Sequence, residues 1–400
     1  MSLDLAKVVA QVGGMVARLK AGGEERRQRL QQALDTFHDP GCDLSDLARK
    51  IAASSGKTTW LVAGLVDGLD RRYKAPPTPA DFTVIATDGS HIDVDRHRSN
   101  RCYLVNTGSA ILDYGASADA SLDSLPRLYS EDEDMVISHP GTSRREQPVE
   151  GALLGIKRGV EECHRLAELA TGSPPETPTL ALLDGSLILW GLEAYPDFVT
   201  DIMLIKGYLH HFDSMMNLDN SQFAIASYIS FPRSNDVVNT LKIALCPQEV
   251  VDSDQYCQSC ETRECDTVAG VTDRELFSNI LEPGERSAIF LSQSSIVRKH
   301  YGVHQVHFFY LRVDDEIARA EVPGWVALDE KRLNLAHTLI LDQCRRGHGY
   351  PVALAEAHEK AVITGADREQ FWQLVESTLT EEHLPSLGSA KSLSKRTRWV

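Results

Sequence analysis

The sequence predicts an α/β protein in which a mixed sheet is flanked by helices and preceded by a helical segment. Three observations carry this prediction. Residues 1–75 place apolar side chains at helical spacing. From residue 82, short apolar runs alternate with helical patterns, as expected of strands and helices sharing one core. No G-x-G-x-x-G follows any of those runs, which disfavours a doubly wound dinucleotide fold.

In chain order, "VVAQVGGMVARLK" and "ERRQRLQQALDTF" carry helical periodicity, and "DLSDLARKIAAS" opens on a capping Asp. "KAPPTPADF" breaks the pattern and sets a boundary, giving an N-terminal helical region over 1–78 and a second domain over 79–375. "FTVIAT" reads as a strand, with a turn at Asp88-Gly89 and an antiparallel ribbon after it ("RCYLVNTGSAILDYG"). Residues 116–146 are acidic and turn-rich and read as an irregular excursion. A long helix is expected from about Pro148 to Ala170, because Val149, Leu153, Ile156, Val160, Cys163, Ala167 and Ala170 form one apolar stripe. "TGSPPETP" ends it, and "TLALLDGSLILW" is a buried strand. "DIMLI" and "FAIASYISF" are strand-like, and "SNDVVNTLKIAL" is helical. "SAIFL", "VHFFYLRV" and "IARAEVPGWV" read as strands. Helical patterns return in "EKRLNLAHTLILDQCRR" and "PVALAEAHEKAVIT", before a basic tail over 376–400.

The formal charge of −16 argues against a polycation that coats nucleic acid, but it leaves room for an acidic metal site beside a local basic track. No apolar stretch approaches the length of a membrane span, and the first residues lack a basic segment followed by an apolar core. A soluble cytoplasmic protein is therefore expected. The eight cysteines are scattered, which does not indicate a disulfide framework. One cluster stands out within an insertion at about 246–270. Cys257 and Cys260 have the C-x-x-C spacing of a zinc knuckle, and Cys246 and Cys265 can complete four ligands. Against this stands a polar loop with free thiols.

Two apolar runs end on Asp-Gly-Ser, at Asp88-Gly89-Ser90 and Asp184-Gly185-Ser186. A carboxylate at the carboxyl end of a buried strand lies where open α/β sheets place ligands. Two such carboxylates and a third can hold hard divalent cations. The third is sought on the preceding helix. A strand of about six residues at ~3.3 Å each is matched by about twelve helical residues at ~1.5 Å. Counting back from the helix end reaches Arg158–Glu162, so Glu161 or Glu162 stands level with Asp184, with Glu150 two or three turns beyond. Helical phase favours Glu161, on the flank of the apolar stripe.

These residues resemble the NurA nucleases, which work with the HerA hexameric ATPase on DNA ends. The resemblance covers most of residues 80–375 and rests on "ATDGSHID", "LLDGSLILW", "FFYLRVDDEIARAEVPGWVA" and above all "GYPVALAEAHEKAVIT". It implies an RNase H-like core, a carboxylate site for Mn²⁺ or Mg²⁺, DNA as substrate, and a homodimer on a HerA-type partner. Asp88 and Asp184 match the family's two strand-end aspartates. Its glutamate matches Glu162 through "ECHRL", so Glu162 ranks first and Glu161 stays beside it. The family's late Tyr and His match Tyr350 and His358, the latter implied as a ligand or a catalytic group.

Basic candidates for the DNA backbone are weaker. Lys206 and Arg319 are preferred over Arg144, Arg145, Arg345 and Arg346. Glu321 and Trp325 in "RAEVPGW" are expected to hold a strand end together. The leading expectation is a metal-dependent deoxyribonuclease. The alternative is a catalytically weak adaptor that docks on a ring ATPase and gates DNA. An actin-like phosphotransferase is disfavoured, because no P-loop motif is present.

Overall fold

The computed structural model describes residues 4–39, 43–95, 101–141, 145–174 and 176–384. Arg144 and most of the basic tail lie outside the described residues. The strands include a mixed sheet of eleven flanked by helices, with a helical segment at the N-terminus. The chain divides into two compact units, and the candidate site lies wholly in the larger one.

The smaller unit comprises residues up to 74 with 230–295 and 307–320. It opens with helices α1 (Leu5–Ala21), α2 (Gly23–Phe37) and α3 (Leu44–Ser54). Asp4 and Asp43 cap α1 and α3 by accepting backbone N–H groups of the first turn. Two short strands, Ala63–Leu65 and Arg72–Lys74, follow where only helix was expected. They pair with Phe290–Ser292 and Glu285–Ser287, into which the expected strand "SAIFL" is broken. Ala33 and Phe37 of α2 pack with Val237, Leu241, Phe277, Phe290 and Phe308 in one apolar core.

The larger unit comprises residues 75–229, 296–306 and those from 321 onward. Its sheet is built from β1 (Phe82–Ile92), β2 (Tyr103–Tyr114), β3 (Asp119–Tyr129), β4 (Thr179–Asp184) and β5 (Phe223–Ile229). The strand order is β3-β2-β1-β4-β5. β2 runs antiparallel to its neighbours β1 and β3, while β4 and β5 are parallel to β1. This is the RNase H-like arrangement. The central strands are buried almost throughout because helices cover both faces. One covering helix is α4 (Ala152–Thr171), which buries Leu153, Ile156, Cys163, Ala167 and Ala170 of the expected stripe. C-terminal to the sheet lie helices α6 (Glu330–Arg346) and α7 (Val352–Ala361), following α5 (Asp236–Leu245) of the smaller unit.

Three expectations are corrected. Asp88-Gly89-Ser90 is not a turn: β1 runs straight through it, paired with β2 from Phe82↔Tyr114 to Ile92↔Leu104. The excursion at 116–146 contains an eleven-residue strand, β3, whose side chains are exposed up to Tyr129. A strand with both faces in water has no apolar alternation for sequence to display. "DIMLI" is helical, part of a π-helical stretch over Asp201–Leu209 that packs on α4.

Two glycines set how closely the helices approach. A Cβ on Gly108 of β2 would lie 2.1 Å from the Ala357 carbonyl oxygen and 2.4 Å from the Ala361 nitrogen, so α7 rests directly on the backbone there. The α7 carboxyl end is also held by Asn106, whose amide donates to the carbonyls of Lys360 (3.0 Å) and Ala361 (2.9 Å). Gly155 of α4, by contrast, faces nothing within 4 Å. Gly108→Ala should therefore destabilise the protein by about 1–3 kcal/mol, since backbone cannot yield to the new methyl group. Gly155→Ala should stabilise it by about 0.5–1 kcal/mol through helix propensity. Urea unfolding of both variants checks this, and equal midpoints would contradict the close packing of α7.

Candidate active site

The site forms where β4 ends and β1 continues. The parallel register runs from Thr83↔Thr179 to Thr87↔Leu183, which puts Asp88 and Asp184 level at the next step. Adjacent strands are ~4.8 Å apart, and level residues of parallel strands share a face. After Asp184 the chain turns at Gly185 (φ 83°), while β1 goes on to Ile92. The second Asp-Gly-Ser is thus a turn and the first is not. The new turn is tied down by Glu321, whose Oε2 accepts from the Ser186 hydroxyl (2.8 Å) and the Leu187 amide (2.9 Å). The Trp325 indole donates to His304 at 3.2 Å.

Successive strand residues face opposite sides, so Asp88 and Gly89 look toward different helices. On the Asp88 side lies α7, and His358 Nδ1 stands 2.6 Å from Asp88 Oδ2. On the Gly89 side lies α4. A Cβ at Gly89 would come 2.5 Å from Glu162 Oε1 and 2.9 Å from Arg158 Cγ, so only glycine leaves room for this carboxylate. The Thr87 hydroxyl donates to the Glu162 carbonyl (3.0 Å) and fixes the height of α4 against β1.

Charge follows this geometry. Burial pushes the Glu162 carboxyl up to about 8; Arg158 opposes that rise, and Asp88 and Asp184 add to it. Asp184 is also raised, first by burial, against a hydrogen bond from the Tyr350 hydroxyl. Burial raises the Tyr350 phenol, and the neighbouring Asp184 carboxylate raises it further. The Tyr350 ring stands edge-on to Tyr228 at 5.6 Å. Arg158 Nε lies 3.0 Å from Glu162 Oε1 as an ion pair, yet neither atom has an aligned hydrogen-bond partner.

Asp88, Glu162, Asp184, Tyr350 and His358 are therefore brought together. Glu161 is not among them: its carboxylate accepts from the Tyr129 hydroxyl (2.7 Å) and Arg127 (3.0 Å), and Lys157 is 3.5 Å away. Helical phase favoured it because the space left by Gly89 is invisible until α4 lies on β1. Glu150 precedes the first residue of α4.

Arg319 is corrected as a DNA contact. It is 3% exposed, pairs with Asp236 at 2.9 Å, and lies over the Phe308 ring, all within the smaller unit. Lys206 is exposed and pairs with Asp201 at 2.6 Å. Arg346 pairs with Asp342 and covers the Tyr114 ring, whereas Arg145 and Arg345 are exposed. Arg158 went unnoticed in the sequence, although its position four residues before Glu162 was the available signal.

Three carboxylates and an imidazole form the donor set that hard or borderline divalent cations accept. The upward shifts of Glu162 and Asp184 fit a site short of positive charge. Each carboxylate is instead turned to a protein partner, and among the described residues no three His, Cys, Asp or Glu side chains are gathered as metal ligands. Cys246, Cys257, Cys260 and Cys265 lie in the smaller unit.

This is an RNase H-like domain with a carboxylate site at the end of its central parallel strands. The family model of the NurA domain matches residues 82–363, and the chain belongs to that family of nucleases. Among curated proteins none matches. Among solved structures, a crystal structure of Drosophila Piwi is similar at 10% identity and a TM-score of 0.27, covering 70% of this chain and 28% of that one. The chain thus spans little more than a quarter of that protein's length. No helix among the described residues is long and apolar enough to cross a membrane.

The Glu162 shift has a signed consequence for stability. Its ordinary value is 4.5 and its value in the fold is about 8. Between these, the folded chain keeps a proton that the unfolded chain has lost, so stability falls as pH rises through that window. Glu162→Gln removes the loss. In chelator, this variant should gain on the parent protein steadily from pH 4.5 to about pH 8, as read by thermal unfolding. A difference that stays flat with pH would place Glu162 in water.

Proposed function

We propose that this chain is a divalent-metal-dependent deoxyribonuclease that processes DNA ends in double-strand-break repair, as a homodimer working with a HerA-type hexameric ATPase. The observation that carries the reading is that Asp88 and Asp184 stand level on adjacent strands and both push up the buried Glu162 carboxyl, which comes from a third element. Membership of the NurA family supports phosphodiester hydrolysis as the reaction.

Bound by these carboxylates, Mg²⁺ or Mn²⁺ would offset the charge that develops on the phosphate oxygens during cleavage. The protein's own groups do the rest. His358 holds Asp88 through its 2.6 Å contact. The Tyr350 hydroxyl orients Asp184 by donating to it. Arg158 offsets the Glu162 charge when no cation does so. The exposed Lys206 is the candidate for a contact with the DNA backbone.

Asp88→Asn and Asp184→Asn should each abolish cleavage of labelled linear and single-stranded DNA in Mn²⁺ or Mg²⁺, with unfolding temperatures close to the parent's. Chelator should abolish the parent's activity. Tyr350→Phe and His358→Asn remove groups that contact Asp184 and Asp88 and should lower the rate by about 10–100-fold. Full activity in either folded Asp variant contradicts the assignment. If the purified chain cuts under no metal condition yet binds the ATPase, an adaptor is the better description.

A further inference from the structure

The four cysteines grouped by their spacing all lie in the smaller unit. Cys246, Cys257, Cys260 and Cys265 all line one cavity of about 330 Å³. Cys246 caps the carboxyl end of α5 and is buried with Leu47, Ile51, Val62 and Val251. Beyond it the chain has only two 3-10 turns before Val268 re-enters the core, at Cys257–Ser259 and Glu264–Val268. Between Val251 and Val268 no residue is buried. From residue 254 to 267, the side chains that are not exposed are those of Cys257, Cys260 and Cys265. Three inward-facing residues, all of them thiols, stand where such a loop would otherwise place its apolar anchors.

A connection this long with no core of its own is rare in a compact unit unless something staples it. All four thiols are free, so no disulfide does so. The x₂ and x₄ spacings suit the tetrahedral thiolate shell of Zn²⁺. The backbone is shaped for it as well. Arg263 adopts a left-handed conformation (φ 46°), and the Cys260 thiol shares a hydrogen bond with the Thr262 hydroxyl at 3.5 Å. The thiols line the cavity without closing on one point, and three of the four stand on a loop that carries no buried residue between Val251 and Val268.

We propose that Cys246, Cys257, Cys260 and Cys265 bind one structural Zn²⁺ that pins the 247–267 loop to the end of α5. The proposal does not depend on the nuclease reading.

The test uses the full chain purified under reducing conditions. Elemental analysis should give one equivalent of zinc, and exchange for Co²⁺ should give the visible bands and the thiolate charge-transfer absorption of a tetrahedral sulfur site. Cys257→Ser and Cys260→Ser should each lose the metal, while Cys102→Ser, in another part of the fold, should keep it. If a serine variant fails to fold, the Co²⁺ spectrum of the parent chain decides the matter. The proposal is overturned if the reduced chain shows no such spectrum with excess Co²⁺. It is overturned equally if zinc survives in the folded serine variants, or if mass spectrometry finds these cysteines as a disulfide.

Discussion

Crowded negative charge at the end of β4 is the constraint on which the larger unit depends. Asp88 and Asp184 stand level on neighbouring strands, and Glu162 lies against Gly89 on the other side of the sheet, where both aspartates push its carboxyl up. Carboxylates taken out of water beside one another resist ionisation, and the shift of Glu162 to about 8 expresses that cost. A fold does not retain such an arrangement for stability's sake. Arg158 sets a cation beside Glu162, while His358 contacts Asp88 and the Tyr350 hydroxyl donates to Asp184, one partner for each carboxylate. The remaining deficit is what the proposed cation would fill.

The surrounding packing holds that deficit in place. Thr87 sets the height of α4, Gly108 and Asn106 set the position of α7, and Glu321 fixes the turn after Asp184. Each contact acts through backbone or through a buried polar group, so the donor positions are held by rigid elements. Both small residues that matter here are spacers. Gly89 makes way for a carboxylate and Gly108 for a helix.

Much of this was legible in the sequence. Strand β4, the stripe of α4 and the "GYPVALAEAH" helix each carry a periodic pattern that survives folding unchanged. The rest depended on tertiary contacts. A glycine inside a strand looks like a turn until the helix that needs its missing Cβ is in view, which is why β1 seemed to stop at Asp88. Glu161 and Glu162 differ by one step of helical phase, and the choice rests on Tyr129 and Arg127, which lie on β3 and claim Glu161. That strand was itself hidden because its residues face water. Arg319 looked like a free cation, because nothing local announces that Asp236, more than eighty residues away, will bury with it.

The central claim is that Asp88, Glu162 and Asp184 form one cation site. It is tested most directly by crystals of the full chain soaked in Mn²⁺ and measured for anomalous scattering. The account predicts a peak at about 2.1 Å from oxygens of all three carboxylates, with Glu162 drawn away from Arg158. A peak elsewhere, with Glu162 still on Arg158 and Asp88 still on His358, would contradict it.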